Sequence, residues 1–409
     1  MFSLQQNSCK GLKKIVFTVT NDLNYDQRMI RICSSLAAAG YEVLLVGRKR
    51  KQSIPLEPKP YQQKRLNCLF EKGKLFYIEY NIRLFFFLLF AKMDCFCAID
   101  LDTILPCYFI SAIKKTKRVY DAHELFCEMK EVVSRPQIRR LWKWIEKFAV
   151  PKFQYGYTVN QPIADEFKKM YGVSYGVIRN IAVLNTELAN QTSSRSTANE
   201  QRPTEQELAV GSPQLTPQLQ LLPTAHCQLP AFLLYQGDVN EGRSFETLIP
   251  AIKYVNAPLV ICGEGNFFEQ AKQSAKENGL EDKVIFKGRM KPDELKQFTP
   301  AAYAGITLFE NNGLSNYLSL GNKFFDYIHA EVPQLCVGYP AYREINEQFE
   351  VALLIDDLSV ENIAAKLNLL LNDAVLYSRL KENCGKAKAV LNWQNEEKNL
   401  IAFYKNIVG

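Results

Sequence analysis

Between Asn185 and Pro230 the chain contains no Phe, Tyr or Trp and is rich in Gln, Ser, Thr, Pro and Glu. Such a segment cannot bury enough apolar area to offset the entropy lost on ordering. It reads as a disordered insertion between two folded parts. On each side, short apolar runs rich in β-branched residues alternate with stretches of helical length. Lys13 to Thr20 is followed by a helix and then Tyr41 to Gly47; Ala231 to Gly237 is followed by a helix and then Pro258 to Cys262. Repeated β-α-β order builds parallel sheets with helices on both faces. The expectation is an α/β protein with two Rossmann-like, doubly wound domains, residues 1–184 and 231–392. A disordered insertion fills 185–230 and a last helix spans 393–409.

Length agrees, since 409 residues exceed what one ordinary core accommodates. Eleven cysteines are scattered without paired spacing, which points to reduced thiols in a cytoplasmic protein with no disulfide framework or zinc knuckle. The first dozen residues hold no apolar core of signal-peptide length. The longest apolar run, Leu84 to Ala91, falls short of the roughly 18 to 20 residues that span a bilayer. A net charge of +7 suits an anionic ligand, a nucleic acid or an acidic membrane surface without choosing among them. The turn after the first strand, Thr20 to Asp26, lacks the Gly-x-Gly-x-x-Gly fingerprint, and no Walker A sequence occurs. Dinucleotide and P-loop chemistry are disfavoured accordingly.

Two stretches carry the chemistry. In the second half, Gly305 to Phe309 is an apolar run ending in Glu310; Gly313 and Leu314 follow, then an amphipathic segment presenting Lys323 and Asp326 one helical turn apart. Polar groups at a strand's carboxyl end, opposite the next helix's amino end, are how a doubly wound sheet builds a ligand site. In the first half, Lys117 to Asp121 is a short strand ending in Asp121, His123 and Glu124, groups able to bind hydroxyls or shuttle a proton. Asp26 and Arg28 open the first helix, either beside a cleft or as a cap with solvated arginines. Asp100-x-Asp102 has the spacing of a metal-holding pair, but Asp102-Thr103 reads better as a cap before a helix at 104–113. Arg48 to Arg65 reads as a basic surface loop. Residues 137–151 form an amphipathic basic helix that either packs on the core or lies on an anionic membrane.

The Glu310 stretch resembles the donor-binding region of GT-B glycosyltransferases of the family-4 type, where a strand ends in Glu and a second acid on the next helix binds the nucleotide-sugar. In the commonest form that acid stands where Leu318 stands here; Lys323-Phe-Phe-Asp326-Tyr327 is similar to a variant Lys-x-x-Glu-Tyr helix. Asp121-Ala-His123-Glu124 matches the strand end that places a histidine over the donor sugar. Gly237 to Arg243 resembles the diphosphate-gripping turn, with Asp238 at the usual Arg position and Arg243 near the usual Lys position. Gly263-Glu264-Gly265 matches a further turn near the nucleotide.

The resemblance implies two domains facing across a cleft, with the last helix crossing back onto the first. It implies a retaining hexosyltransferase that moves a sugar from a UDP- or GDP-sugar to a glycan or lipid-linked acceptor in cell-surface polysaccharide or glycoconjugate synthesis. His123, Arg243 and Lys323 are the implied catalytic groups. Gly237, Gly263, Glu264, Glu310, Gly313, Leu314 and Asp326 are implied for the donor, and Asp26, Arg28, Asp121 and Glu124 for the acceptor side. No cofactor is implied beyond the nucleotide-sugar substrate, no metal is required, and nucleic acid is not an expected partner. The location is cytoplasmic, with the inner membrane face as a docking surface if the basic helix serves one. A GT-B nucleotide-sugar epimerase and a non-catalytic, membrane-associated nucleotide-binding module are the alternatives.

Overall fold

In the computed structural model, which describes residues 11–24, 26–184 and 231–409, the two alternating series fold into two parallel sheets. The disordered insertion expected over 185–230 lies outside the described residues.

The first series runs β1 (Lys14–Thr18), α1 (Gln27–Ala38), β2 (Glu42–Lys49), β3 (Gln62–Asn67), α2 (Gly73–Phe90), β4 (Cys95–Ile99), α3 (Ile104–Lys114), β5 (Lys117–Ala122), α4 (Lys130–Val133), α5 (Pro136–Ala149), β6 (Tyr155–Thr158), α6 (Gln161–Tyr171) and β7 (Gly176–Val177). The strands lie in the order β3-β2-β1-β4-β5-β6-β7. Their central members are almost wholly apolar because both faces are covered. On one side Val16, Phe96 and Tyr120 pack beneath α2, α3 and α5; on the other Ile15, Phe17 and Cys97 pack beneath α1 and the last helix. One expectation is corrected. Arg48 to Arg65 is not loop throughout, since β3 pairs with β2 from Leu44↔Gln62 to Lys49↔Asn67. Its sequence, QQKRLN, looks unlike a strand because it lies at an edge with alternate residues in solvent.

The second series runs β8 (Leu233–Gln236), α7 (Phe245–Ile252), β9 (Leu259–Cys262), α8 (Phe268–Glu277), β10 (Val284–Gly288), α9 (Pro292–Phe298), β11 (Ala304–Thr307), α10 (Leu314–Leu318), α11 (Asn322–His329), β12 (Gln334–Val337), α12 (Pro340–Phe349), β13 (Ala352–Ile355), α13 (Val360–Asn372), α14 (Ala374–Val390) and α15 (Trp393–Val408). Its strand order is β10-β9-β8-β11-β12-β13. In each sheet the winding reverses once, at β1/β4 and at β8/β11. A crevice opens beyond the carboxyl ends of the strands at such a point. Asp100 and the Gly237 turn stand at these two points.

α15 leaves the second sheet and packs on the first. Asn392 caps it by accepting from Asn395 N–H, and Trp393, Leu400 and Tyr404 enter the core around Phe17 and Tyr157. The two passages between the sheets run side by side. Trp393 N–H donates to Ala182 C=O at 3.1 Å, Leu184 N–H to Gln394 Oε1 at 3.0 Å, and Gln394 Nε2 to Leu184 C=O at 2.8 Å. Among the described residues, no helix is long and apolar enough to cross a membrane.

Candidate active site

The first pole of the cleft is built around His123. Its backbone N–H donates to Asp100 Oδ1 at 2.9 Å, and its Nδ1 lies 3.3 Å from Asp100 Oδ2. Its Nε2 lies 3.4 Å from Asp121 Oδ2, an ion-pair distance that leaves this buried N–H without a hydrogen-bond acceptor. Burial opposes the imidazolium, but the two carboxylates outweigh it and push the His123 pKa up to about 9. Asp100 holds its position at φ 54° and ψ 179°, a conformation that costs a non-glycine residue about 1–3 kcal/mol. Without that backbone turn, the Asp100 carboxylate could not reach back to the residue after β5.

Asp121 lies beneath, fully buried. Arg28 Nη2 donates to its Oδ1 at 2.9 Å, and Arg28 Nη1 donates to Ile178 C=O at 3.1 Å. Arg28 is not the solvated arginine of the capping alternative: only 4% exposed, it holds Asp121 beneath His123. Asp26 does cap α1, accepting from Met29 N–H at 3.1 Å, and borders a separate cavity with Asn21, Asp22 and Arg50.

Asp102, read as a helix cap, makes no cap bond to α3. It accepts instead from Thr20 Oγ1 at 2.6 Å, while Thr103 Oγ1 bonds back to Thr18 and Ile99 carbonyls. Burial and the neighbouring Asp100 push the Asp102 pKa up to about 7. Glu124 is likewise pushed up to about 7, by burial and by Asp100. Among the described residues, no three His, Cys, Asp or Glu side chains are grouped to hold a metal ion.

Exchanging Asp100 for Asn should therefore lower the His123 titration midpoint from about 9, because one of its two flanking charges is gone. Imidazole NMR can follow this, since the chain has three histidines. A midpoint unmoved by Asp100→Asn would show that Asp121 alone sets it.

The second pole gathers Arg243, Lys323 and Glu310. The turn after β8 passes through Gly237 and Gly242, at φ 117° and 78°, so the chain folds tightly against the loop after β11. Glu310 N–H donates to Gly242 C=O at 2.9 Å, and a Cβ on Gly242 would strike Asn312. Lys323, in the first turn of α11, extends over this turn: a Cβ on Gly237 would lie 3.8 Å from its Nζ, which also sits 3.7 Å from the Tyr235 ring centroid. Arg243 stands over Phe309. Burial, and then repulsion from Arg243, push the Lys323 pKa down to about 7. Among the described residues neither cation has a carboxylate partner within ion-pair distance, and Asp238 and Asp326 act on Lys323 only from farther away, so together they form a positive site without a direct counter-ion.

The remaining expected donor residues are dispersed. Gly263 and Gly265 permit close approach to the neighbouring turn: a Cβ on Gly263 would lie 1.8 Å from Gly237 C=O and one on Gly265 2.3 Å from Val239 C=O. Glu264 is exposed and reaches toward Gly288. Asp326 accepts from Gln236 Nε2 at 3.1 Å, and burial pushes its pKa up to about 6. Gly313 and Leu314 sit on the lip facing the first domain, where Ser315 Oγ donates to Glu124 Oε2 at 3.5 Å and Lys130 meets Glu241 at 3.4 Å. Leu318 is buried in the first domain's core, with its carbonyl accepting from Asn160 Nδ2 at 2.8 Å. Sequence reasoning missed the bridge from Arg31 through Asn180 to Asn322 beside Lys323, whose members lie 149 and 142 residues apart in the chain.

Residues 228–387 match the family described as Glycosyl transferases group 1. No curated protein matches the chain in sequence. Among solved structures, sucrose-phosphate synthase from Thermosynechococcus elongatus is 14% identical, with 96% of this chain and 98% of that one covered at a TM-score of 0.70. Anabaena HepE in complex with UDP and glucose is 13% identical, covering 96% and 100% at 0.67. WaaG, a glycosyltransferase involved in lipopolysaccharide biosynthesis, is 15% identical, covering 97% and 100% at 0.60. At these identities the structural likeness speaks for the fold, and the family match speaks for the second domain. Two reversing sheets, a helix that crosses back and the likeness to these solved structures give the whole chain the GT-B fold, and its second domain carries the glycosyl transferases group 1 signature over residues 228–387.

Proposed function

We infer that the protein is a glycosyltransferase that retains anomeric configuration and moves a hexosyl group from a UDP- or GDP-sugar to a glycan or lipid-linked acceptor in the synthesis of a cell-surface glycan. The observation that carries the reading is the pair Arg243 and Lys323, without a direct carboxylate partner among the described residues, at the reversal point of the second sheet. Two cations without partners suit a diphosphate, whose charge grows as the sugar leaves. Backbone N–H groups near Gly313 and Leu314 are assigned as further donors to the diphosphate. Glu310 and Asp326 are assigned to hydroxyls of the donor, His123 to the transferred sugar, and Glu124 to the acceptor side. The chain's own part is to hold donor and acceptor in one orientation and to stabilise the leaving diphosphate.

Lys323 makes donor binding depend on pH. Its free-state pKa of about 7 lies below the ordinary lysine value, and a bound diphosphate raises it again. Above pH 7, binding must therefore take up a proton, and affinity should fall as pH rises. Calorimetry with UDP and GDP in buffers of different ionisation enthalpy should detect the uptake at pH 8, and Lys323→Arg should flatten the profile. Identical affinity from pH 6.5 to 8.5 in the wild type would remove Lys323 from the anion site. Product analysis with donor alone, and then with glycan acceptors, distinguishes the transferase from an epimerase: formation of an epimeric nucleotide-sugar without acceptor would replace the transfer reading.

A further inference from the structure

α2 is apolar on both faces. Phe76, Tyr80, Leu84 and Leu88 point into the core, yet Leu75, Ile78, Ile82, Phe86 and Phe90 stand in solvent on the opposite side, Phe90 at 81% exposure. At 100° per residue these five fall within one stripe along the helix. An outward stripe of this kind needs a cover.

The stripe continues sideways. α2, α3 and α5 pack on the same side of the first sheet, joined by aromatic contacts such as Tyr77 with Trp142 and Phe109 with Phe148. Ile113 on α3 and Trp144 on α5 are also exposed, at 62% and 63%. Beside Trp144 a shallow hollow of about 540 Å³ is walled by Arg140 and Lys147.

Charge decides what covers this surface. The three helices contain seven Lys and Arg (Lys74 and Arg83; Lys114; Arg139, Arg140, Lys143 and Lys147) and two acids, Glu79 and Glu146. Glu79 pairs with Arg83 and accepts from Leu69 and Phe70 N–H groups, buried Glu146 pairs with Lys143, and Glu128, just before α4, pairs with Arg139 and Lys143; among the described residues Lys74, Lys114, Arg140 and Lys147 are left without an acidic partner. A second copy of the chain would oppose like charges. An anionic bilayer surface satisfies both the apolar stripe and its basic surroundings.

We propose that α2, flanked by α3 and α5, is a membrane-docking face that lies in the interface of an anionic bilayer. The basic helix α5 supplies charge and the Trp144 anchor, while α2 supplies most of the apolar contact. The helix running into β4 begins at the carboxyl end of the sheet, so the stripe's Leu75 end lies at the cleft rim and its Phe90 end at the opposite edge. Docked this way, the protein holds its cleft open along the plane of the bilayer. The inference rests on surface composition and is independent of the transferase reading.

The test is flotation of the full chain with phosphatidylcholine vesicles containing about one-third phosphatidylglycerol, at low salt and at about 1 M salt, beside vesicles of phosphatidylcholine alone. Wild type should float with the anionic vesicles, and Trp fluorescence should shift to the blue. The triple variant Ile78→Ser, Ile82→Ser, Phe86→Ser should lose at least tenfold in vesicle affinity while keeping its melting temperature and nucleotide affinity, since all three side chains are exposed and remote from the cations of the second domain. Arg140→Gln with Lys147→Gln should weaken binding at low salt only. Failure of the wild type to bind anionic vesicles, or equal binding by the triple variant, overturns the proposal. So does a lipid-free dimer that the triple variant dissociates, which would make a second copy the occupant.

Discussion

Alanine at Arg243 or at Lys323 is expected to lower turnover by ~100-fold or more, the typical cost of removing one preorganised donor from a developing charge. In the proposed site the two cations act on the same diphosphate, so the double variant should lose less than the product of the singles. Stability should move little or even rise. Neither side chain has a carboxylate partner among the described residues, and Lys323 is already desolvated enough to bring its pKa to about 7, so its removal relieves a cost. Steady-state kinetics beside thermal melts make the distinction: falling turnover with an unchanged melt locates both groups at the chemistry. Wild-type rates in both variants would move the diphosphate site elsewhere.

The largest expected effect on stability comes from the opposite pole. Asp121→Ala leaves Arg28 as a buried cation without its counter-ion, a change that typically costs about 3–5 kcal/mol. Burial opposes the Asp121 carboxylate, but Arg28 and then His123 prevail and hold its pKa below the ordinary aspartate value. A depressed carboxylate contributes stability above its unfolded pKa and loses it as pH falls through its folded one. The penalty of Asp121→Ala should accordingly shrink in acid. Replacing Asp26, which caps α1 and accepts from Asn21 Nδ2 near the surface, should cost about 1 kcal/mol. Denaturant melts at neutral and acid pH compare the two. Similar costs at both positions would mean that solvent reaches Arg28 when Asp121 is removed.

The alternation of strands and helices, and with it both sheets, could be read from the sequence wherever central strands are buried on both faces, because burial demands unbroken apolar runs such as Cys95 to Ile99. β3 escaped notice for the converse reason: an edge strand has one neighbour, and QQKRLN carries no period. Asp102 was misread because a carboxylate near a helix start caps by default, and its actual partner, Thr20, lies 82 residues away. The grouping of Asp121 with His123 is written in adjacent positions; Asp100 as the second flank of the imidazole is not, because a strand crossing brings it there. Leu318 stands where the commonest family pattern has an acid, and its burial in the first domain gives a packing reason for the departure. On α2 the composition was plain, but no period could tell that the outer face stays uncovered.

The paired passages between the domains have a mechanical consequence. Ala182 and Leu184 on one side, Trp393 and Gln394 on the other, are laced together, and two adjacent tethers define a hinge line instead of a swivel. Relative motion of the domains is then reduced to swinging about that line, and its amplitude is greatest at the far lip, where Ser315 meets Glu124 and Lys130 meets Glu241. Those two contacts are weak, and the firmer one on that side is Leu318, which enters the first domain's core and accepts from Asn160 Nδ2, so a wide swing must withdraw it; Trp393 is anchored in the first core by its Nε1–H bond to Ser35 Oγ at 2.9 Å. A flexible spacer inserted before Trp393 would convert this door into a freely jointed pair. Nucleotide would still find the second domain, but the registry between His123 and the two cations would no longer be maintained by the chain.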